Sequence, residues 1–438
     1  MIQSLHSEQK KLIKNFSWIM LDNVVRTIGG FLVAIWVQKY LSKSDYGIIT
    51  LALAYIGMFS VLVHLGLGHI VIREIIRFPK LQRFYLGTSA VLKFIGALVA
   101  FLLINISTFL YEADPTVSFI IFLFSFQMFF NVSNVFNIYF QAKIITKYQT
   151  LSSSISYIIS SLLKVYFILG EYPVEYFAYA YLADFMLAAL FKYIFYQKIK
   201  SDIWHWRFSF KIAKQLLKNS WAIGMAVFLS QIHTNIDKLM IAEMLDKVEL
   251  GIYGVSTMFS DYSAMLAPML MAAVLPYLID LRKNNPEFYQ RRFQQILSLV
   301  TWSSIILCIL GIVFGEHLFS FLYNGKYDAA YEPFVYNIWK FLFLVQMQMI
   351  NIWLLNLNLQ RFQLYTNLIG VVCNIILNYI LISKYGIVGA AVATISTRIV
   401  IDWLSPLFFK QTREVTFISL KSLNPMILMR YLIALRLR

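Results

Sequence analysis

Charge is what this 438-residue sequence lacks: 14% of it is Asp, Glu, Lys or Arg, where soluble domains carry about 25%. A soluble chain of this length would have two or three domain surfaces to wet, and so few charges cannot wet them. Cysteine is scarce as well. Cys308 and Cys373 both fall in apolar segments, which excludes a disulfide framework. No G-x-x-x-x-G-K-[ST] loop, H-E-x-x-H, paired Cys-x-x-Cys or G-x-S-x-G occurs, so ATP hydrolysis and the recognisable metal and nucleophile sites are excluded. The Gly66-Leu67-Gly68 stretch reads as a turn or a close packing contact. No catalytic group, metal or cofactor is expected. A cleavable signal is also missing: residues 1–15 are polar and basic, and the apolar segment after them is too long for one.

What is present is apolar, 59% of the chain. It is gathered into segments near the length of about 20 residues that a helix needs to span a bilayer. The first half places spans at 16–37, 46–68, 86–110, 116–139, 150–169 and 174–196. The second places them at 219–242, 250–278, 296–315, 334–356, 363–382 and 386–409. The expected fold is therefore an all-α integral membrane protein with twelve transmembrane helices. Residues 1–196 form one six-helix lobe, 197–218 an inter-lobe loop, 219–409 a second lobe, and 410–438 a tail.

The net charge of +16 would suggest nucleic acid in a soluble protein; here it marks orientation. The N-terminus, the loops after even-numbered spans and the tail hold about five times as many Lys and Arg as the opposite side. That side has Lys39, Lys43, Lys247, Lys326 and Lys384. Both termini are therefore expected in the cytoplasm. An internal repeat supports the same layout. KNFSW at 14–18 returns as KNSW at 218–221, and LSKSDYGI at 41–48 returns as LDKVELGI at 245–252. Six spans lie between the copies, an even number, which gives a parallel repeat around a central cavity.

Ionisable residues inside the spans include Asp22, Arg26, Lys93, Lys164, Asp184, Asp237, Lys238, Asp261, Lys340, Arg398 and Asp402. Each would cost roughly 2.5–3.5 kcal/mol against lipid at the bilayer centre, so most must face one another or water. Asp22 with Arg26, and Arg398 with Asp402, are spaced i,i+4 for pairing on one helical face. Lys164 and Lys340 lie near span ends and are expected to snorkel to the interface. One span carries a polar stripe of Ser230, His233, Thr234 and Asp237. Another carries Gln127, Asn131, Asn134, Asn137 and Gln141. These stripes are expected to line a wet lumen, with helix–helix hydrogen bonding as the alternative. Pro268 and Pro276 are expected to kink the span that holds Asp261.

Residues 41–75, LSKSDYGIITLALAYIGMFSVLVHLGLGHIVIREI, resemble the second-helix signature of bacterial polysaccharide transporters, the Wzx-type O-antigen flippases. IDKLMIAEML at 236–245, ELGIYGVSTMFSDYSAMLAP at 249–268 and KYGIVGAAVATIS at 384–396 are similar to that family's later blocks. Two departures stand out: Ser42-Lys43 where the family has Gly-Pro, and His69 where it often has Asp. The larger superfamily includes multidrug and toxin extrusion transporters and lipid II flippases. The resemblance implies two six-helix lobes around a cavity lined by spans 1, 2, 7 and 8. It also implies an undecaprenyl-pyrophosphate-linked oligosaccharide as substrate, moved across a bacterial inner membrane.

On that reading Arg26, Lys238, Arg398 and Lys93 are the expected pyrophosphate-binding cations. Asp22, His233, Asp237, Asp261 and Asp402 are the expected supporting or ion-coupling groups, and Gln127, Asn131 and Asn134 line the lumen. Drive could come from H+, Na+ or the membrane potential. The expected partners are the lipid-linked oligosaccharide, membrane lipids and polysaccharide polymerase machinery, with no nucleic acid. A cation-coupled drug efflux pump on the same fold is the alternative. It would want a carboxylate-rich cavity, and the inventory of intramembrane charges is not one. A membrane glycosyltransferase would want large catalytic loops, which are absent. The apolar, Arg-bearing segment 424–438 is too short to span and is expected to lie on the interface.

Overall fold

The computed structural model describes residues 25–200, 202–264, 266–356, 359 and 362–429. Every regular element among them is helical. Asp22 and the first part of the first expected span lie outside the described residues, as does the tail beyond 429. Seven helical stretches among the described residues are long and apolar enough to cross a membrane. They are Lys43–Arg77, Pro79–Tyr111, Pro115–Ala142, Lys147–Leu169, Val174–Ile199, Glu287–Tyr323 and Phe362–Phe408. The chain is thus a multi-pass membrane protein. Helices Phe210–Met244, Lys247–Ala264, Leu266–Asn284 and Lys340–Asn356 fall on other apolar segments. The chain divides into two compact units, Met1–Asn235 and Ile236–Arg438, with the boundary inside helix Phe210–Met244.

Local sequence fixes where these helices begin. Ser42 caps helix Lys43–Phe59: its Oγ accepts from the Asp45 N–H at 3.0 Å and donates to the Asp45 carboxylate at 2.6 Å. The serine that departs from the family's Gly-Pro is therefore the start signal of the helix. The second copy of the repeat does the same 204 residues later. Asp246 accepts from the Glu249 N–H at 2.8 Å, and the helix starts at Lys247. Asp114 caps the helix opened by Pro115 in the same way, accepting from Thr116 N–H at 2.8 Å.

Glycine fixes where helices break and touch. The helical stretch from Lys43 to Arg77 is interrupted at Ser60 and again at Leu65–Gly66, where φ turns positive. The break frees carbonyls, and Lys93 donates to that of Val63 at 3.3 Å. The neighbouring Gly96 lies so close to this turn that a Cβ there would sit 1.8 Å from the Leu62 carbonyl oxygen. No other residue fits. Gly386, with φ +58°, turns the chain between the segments expected as the last two spans. Asp261 lies in helical residues Lys247–Ala264, and Pro268 and Pro276 lie in helical residues Leu266–Asn284.

Parts of the segments expected as an inter-lobe loop and a tail are built into the fold. The stretch expected as a loop over 197–218 is helical from Phe210 onward. Its remainder is tied down by Asp202, which accepts from Tyr196 Oη and pairs with Arg83 at 3.3 Å. Residues 413–422 of the expected tail form helix Arg413–Ser422, with Val415, Thr416, Ser419 and Ser422 buried. Ser298 Oγ donates to the Ser422 carbonyl at 2.9 Å, and Gln294 Nε2 to that of Ile418 at 3.1 Å. A polar side-chain hydrogen bond of this kind is strongest where water is scarce.

Candidate functional site

In the second unit, four helices bring charged side chains together. Lys238 comes from helix Phe210–Met244, Asp261 from Lys247–Ala264, Lys340 from the start of Lys340–Asn356, and Arg398 from the end of Phe362–Ile399. The Lys340 ammonium lies 2.9 Å from the Asp261 carboxylate. Lys238 and Arg398 act on the same carboxylate electrostatically. Asp261 therefore answers three cations, and Asp402 acts on one of them, Arg398. The Asp261 side chain is 45% exposed and that of Lys340 12%, so the pair opens to its surroundings on the carboxylate side. Lys340 does not snorkel; an ion-pair partner on another helix holds it.

Arg398 and Asp402 form no ion pair among the described residues. The i,i+4 rule assumes α-helical spacing, and a π-helical turn over Val400–Leu404 widens the turn that holds Asp402. Arg398 instead reaches the Met347 sulfur at 4.0 Å, and its Nε is buried without a partner, as is Asp402 Oδ2. Asp237 is absorbed into packing. It accepts from Tyr253 Oη at 2.6 Å and from the Lys238 N–H at 2.8 Å, and is buried. His233 is buried too, whereas Ser230 and Thr234 of the same stripe are exposed.

The first unit gathers a second charged group. The Arg26 guanidinium donates to the Ser153 carbonyl at 2.7 Å and lies 5.5 Å from the centre of the Tyr157 ring. Asp184 accepts from Ser156 Oγ at 2.7 Å. Lys164 is only 6% exposed, its ammonium 3.5 Å over the Tyr181 ring, within electrostatic reach of both Asp184 and Arg26. A cation over an aromatic face gains an electrostatic contact in exchange for lost water, and Lys164 is held inside the protein.

Lys93 is 2% exposed and committed to the broken helix, as described above. Of the expected lumen stripe, Gln127 is buried and Asn131 half-buried. Asn134 accepts from Lys192 Nζ at 3.0 Å and from Asn137 Nδ2 at 3.1 Å. Part of the stripe thus makes helix–helix hydrogen bonds. Lys192 is buried, and sequence reasoning passes over it. The available signal was its place two turns beyond Asp184 on one stripe of the same span.

The fold and its buried charges define a class: a helical, multi-pass membrane protein. The polysaccharide biosynthesis protein family matches residues 12–282, more than half of the sequence, and the chain belongs to that family. The MatE family matches residues 222–380. An uncharacterized membrane protein of Methanocaldococcus jannaschii is 27% identical over 186 residues, which take in 42% of this chain and 43% of that one. Among solved structures, the lipid II flippase MurJ in an inward closed conformation superposes with a TM-score of 0.70 at 15% identity, over 96% of this chain and 92% of that one. An inward-facing multidrug resistance MATE family transporter of the MOP superfamily gives 0.67 at 15% identity, over 90% and 95%. The likeness to both is one of fold.

Proposed function

We propose that this protein is a flippase. On this reading it moves an undecaprenyl-pyrophosphate-linked oligosaccharide, an O-antigen or other surface polysaccharide repeat unit, across the bacterial inner membrane by alternating access. The observation that carries the proposal is the surplus of cations around Asp261. Lys238, Lys340 and Arg398 suit a polyanionic head group, and a flexible carboxylate can hold them while no substrate is bound. The membrane potential favours the direction: moving one negative charge outward is worth roughly 2.3 kcal/mol per 100 mV. Drug efflux on the same fold suits this arrangement less, because Asp261 is already engaged by Lys340 and is not free for a cationic drug.

Deletion of the gene followed by lipid analysis tests the proposal. One lipid-linked repeat unit should accumulate on the cytoplasmic leaflet. Unchanged lipid-linked intermediates together with altered drug sensitivity would replace it with the efflux reading. The proposed topology has twelve spans with both termini in the cytoplasm. Cysteines introduced at Glu112, Glu171 and Asp328 should then react with an impermeant reagent from outside, and those at Lys80, Lys211 and Lys283 should not. The reverse labelling would overturn the orientation and the direction of transport together.

A further inference from the structure

Helix Arg413–Ser422 and the polar end of helix Pro286–Tyr323 enclose a cavity of about 570 Å³ that the transport reading leaves unused. Its lining divides by chemistry. Phe293, Trp353 and Phe417 supply an aromatic wall, and Arg291, Lys421 and Glu414 supply charge. Phe417 is 63% exposed, while Phe293 and Trp353 are buried. Trp353 also carries a buried indole N–H without a partner. The side chains of Arg291 and Lys421 make no hydrogen bond or ion pair among the described residues, and both are exposed. Two free cations against one carboxylate leave a single positive charge beside an apolar wall.

We propose that this cavity binds an anionic phospholipid of the inner leaflet, with the headgroup phosphate on Arg291 and Lys421 and an acyl chain along Phe293, Trp353 and Phe417. A soluble anion would leave the aromatic wall without a role, and a zwitterionic lipid would leave the surplus charge unanswered. The membrane-facing side follows from the orientation proposed above, which places Arg291 and Lys421 at the cytoplasmic surface, where anionic lipids bind basic pockets. The same helix pair is pinned by Gln294 on the Ile418 carbonyl and Ser298 on that of Ser422. A lipid seated here bridges the two helices and holds the helix Arg413–Ser422 in place.

Native mass spectrometry of the full chain in detergent tests this without reference to transport or orientation. Phosphatidylglycerol should remain as a one-to-one adduct and raise the melting temperature; phosphatidylcholine and inorganic phosphate should do neither. The Arg291→Gln/Lys421→Gln double variant should bind phosphatidylglycerol roughly 30-fold more weakly, the loss expected for two basic side chains near a lipid surface. A control pair, Lys214→Gln/Lys218→Gln, takes two exposed cations from the other unit and should leave binding unchanged. Equal retention of phosphatidylcholine would make the cavity an apolar groove only. Competition by inorganic phosphate would make it a headgroup site without an acyl chain. Undiminished binding by the Arg291/Lys421 variant would overturn the site altogether. If the lipid binds as expected while gene deletion leaves the repeat unit unaffected, the lipid site stands and the flippase reading falls.

Discussion

Lys340→Ala should abolish export of the lipid-linked repeat unit while the protein still inserts and accumulates. Lys340 and Asp261 stand 79 residues apart in sequence and 2.9 Å apart in space, joined across two helices of the second unit. Removing one partner of a fully buried pair costs about 3–5 kcal/mol because a bare charge is left behind. Asp261 is 45% exposed and keeps Lys238 and Arg398 nearby, so the stability cost here should be nearer about 1 kcal/mol. The loss of a charge-assisted contact to a phosphate is larger, about 1.5–3 kcal/mol, or roughly 10- to 100-fold in binding. Asp261→Asn should leave export largely intact, since it removes only the group that occupies the cations between cycles. The measurement is repeat-unit export in cells, normalised to protein abundance in the membrane. A purely structural pair predicts something else: Lys340→Ala and Asp261→Asn would impair export equally, and Lys340→Ala/Asp261→Ala would restore it.

Much of the fold was legible because bilayer burial writes itself into sequence as long apolar runs. Helix starts were legible at Ser42 and Asp246, where a capping side chain and an acidic residue three places on recur in both copies of the repeat. Family membership was legible in the order of those blocks. The charged clusters were legible only as an inventory. Periodicity shows which residues share a face of one helix, so it offered Arg398 with Asp402, which interact electrostatically but do not close to an ion pair across the π-helical turn at Val400–Leu404. It cannot show that Lys340 meets Asp261, because that contact depends on how two helices separated by 79 residues pack. The snorkelling expected of Lys164 and Lys340 failed for the same reason. Position along a span sets a distance to the interface, but Tyr181 and Asp261 on neighbouring helices offered nearer partners. The loop at 197–218 was misjudged because its helical turns are polar, and hydropathy reads polar helix as loop.

Arg26→Ala, in the first unit, should likewise abolish export at near-normal abundance. Arginine suits this position because it stays protonated and can bind phosphate through two parallel N–H groups. In the structure its guanidinium is held by the Ser153 carbonyl at 2.7 Å and by the face of Tyr157. Asp184 and Lys164 lie in the same group, and Lys164 sits within electrostatic reach of both Asp184 and Arg26. Tyr157→Leu should cost only about 0.5–1 kcal/mol, the worth of an exposed cation–π contact, and should leave export nearly unchanged. Arg26→Lys should retain part of the activity: the charge survives, but the planar fork that can hold a carbonyl and a phosphate together does not. The opposing account makes Arg26 a lock between its own helix and Lys147–Leu169, balanced by Asp22 one turn earlier in sequence. On that account Arg26→Ala lowers abundance, and Asp22→Ala/Arg26→Ala restores abundance and export together. Recovery of export in that double variant would end the pyrophosphate role, because deleting a neighbouring carboxylate cannot supply the missing phosphate contact.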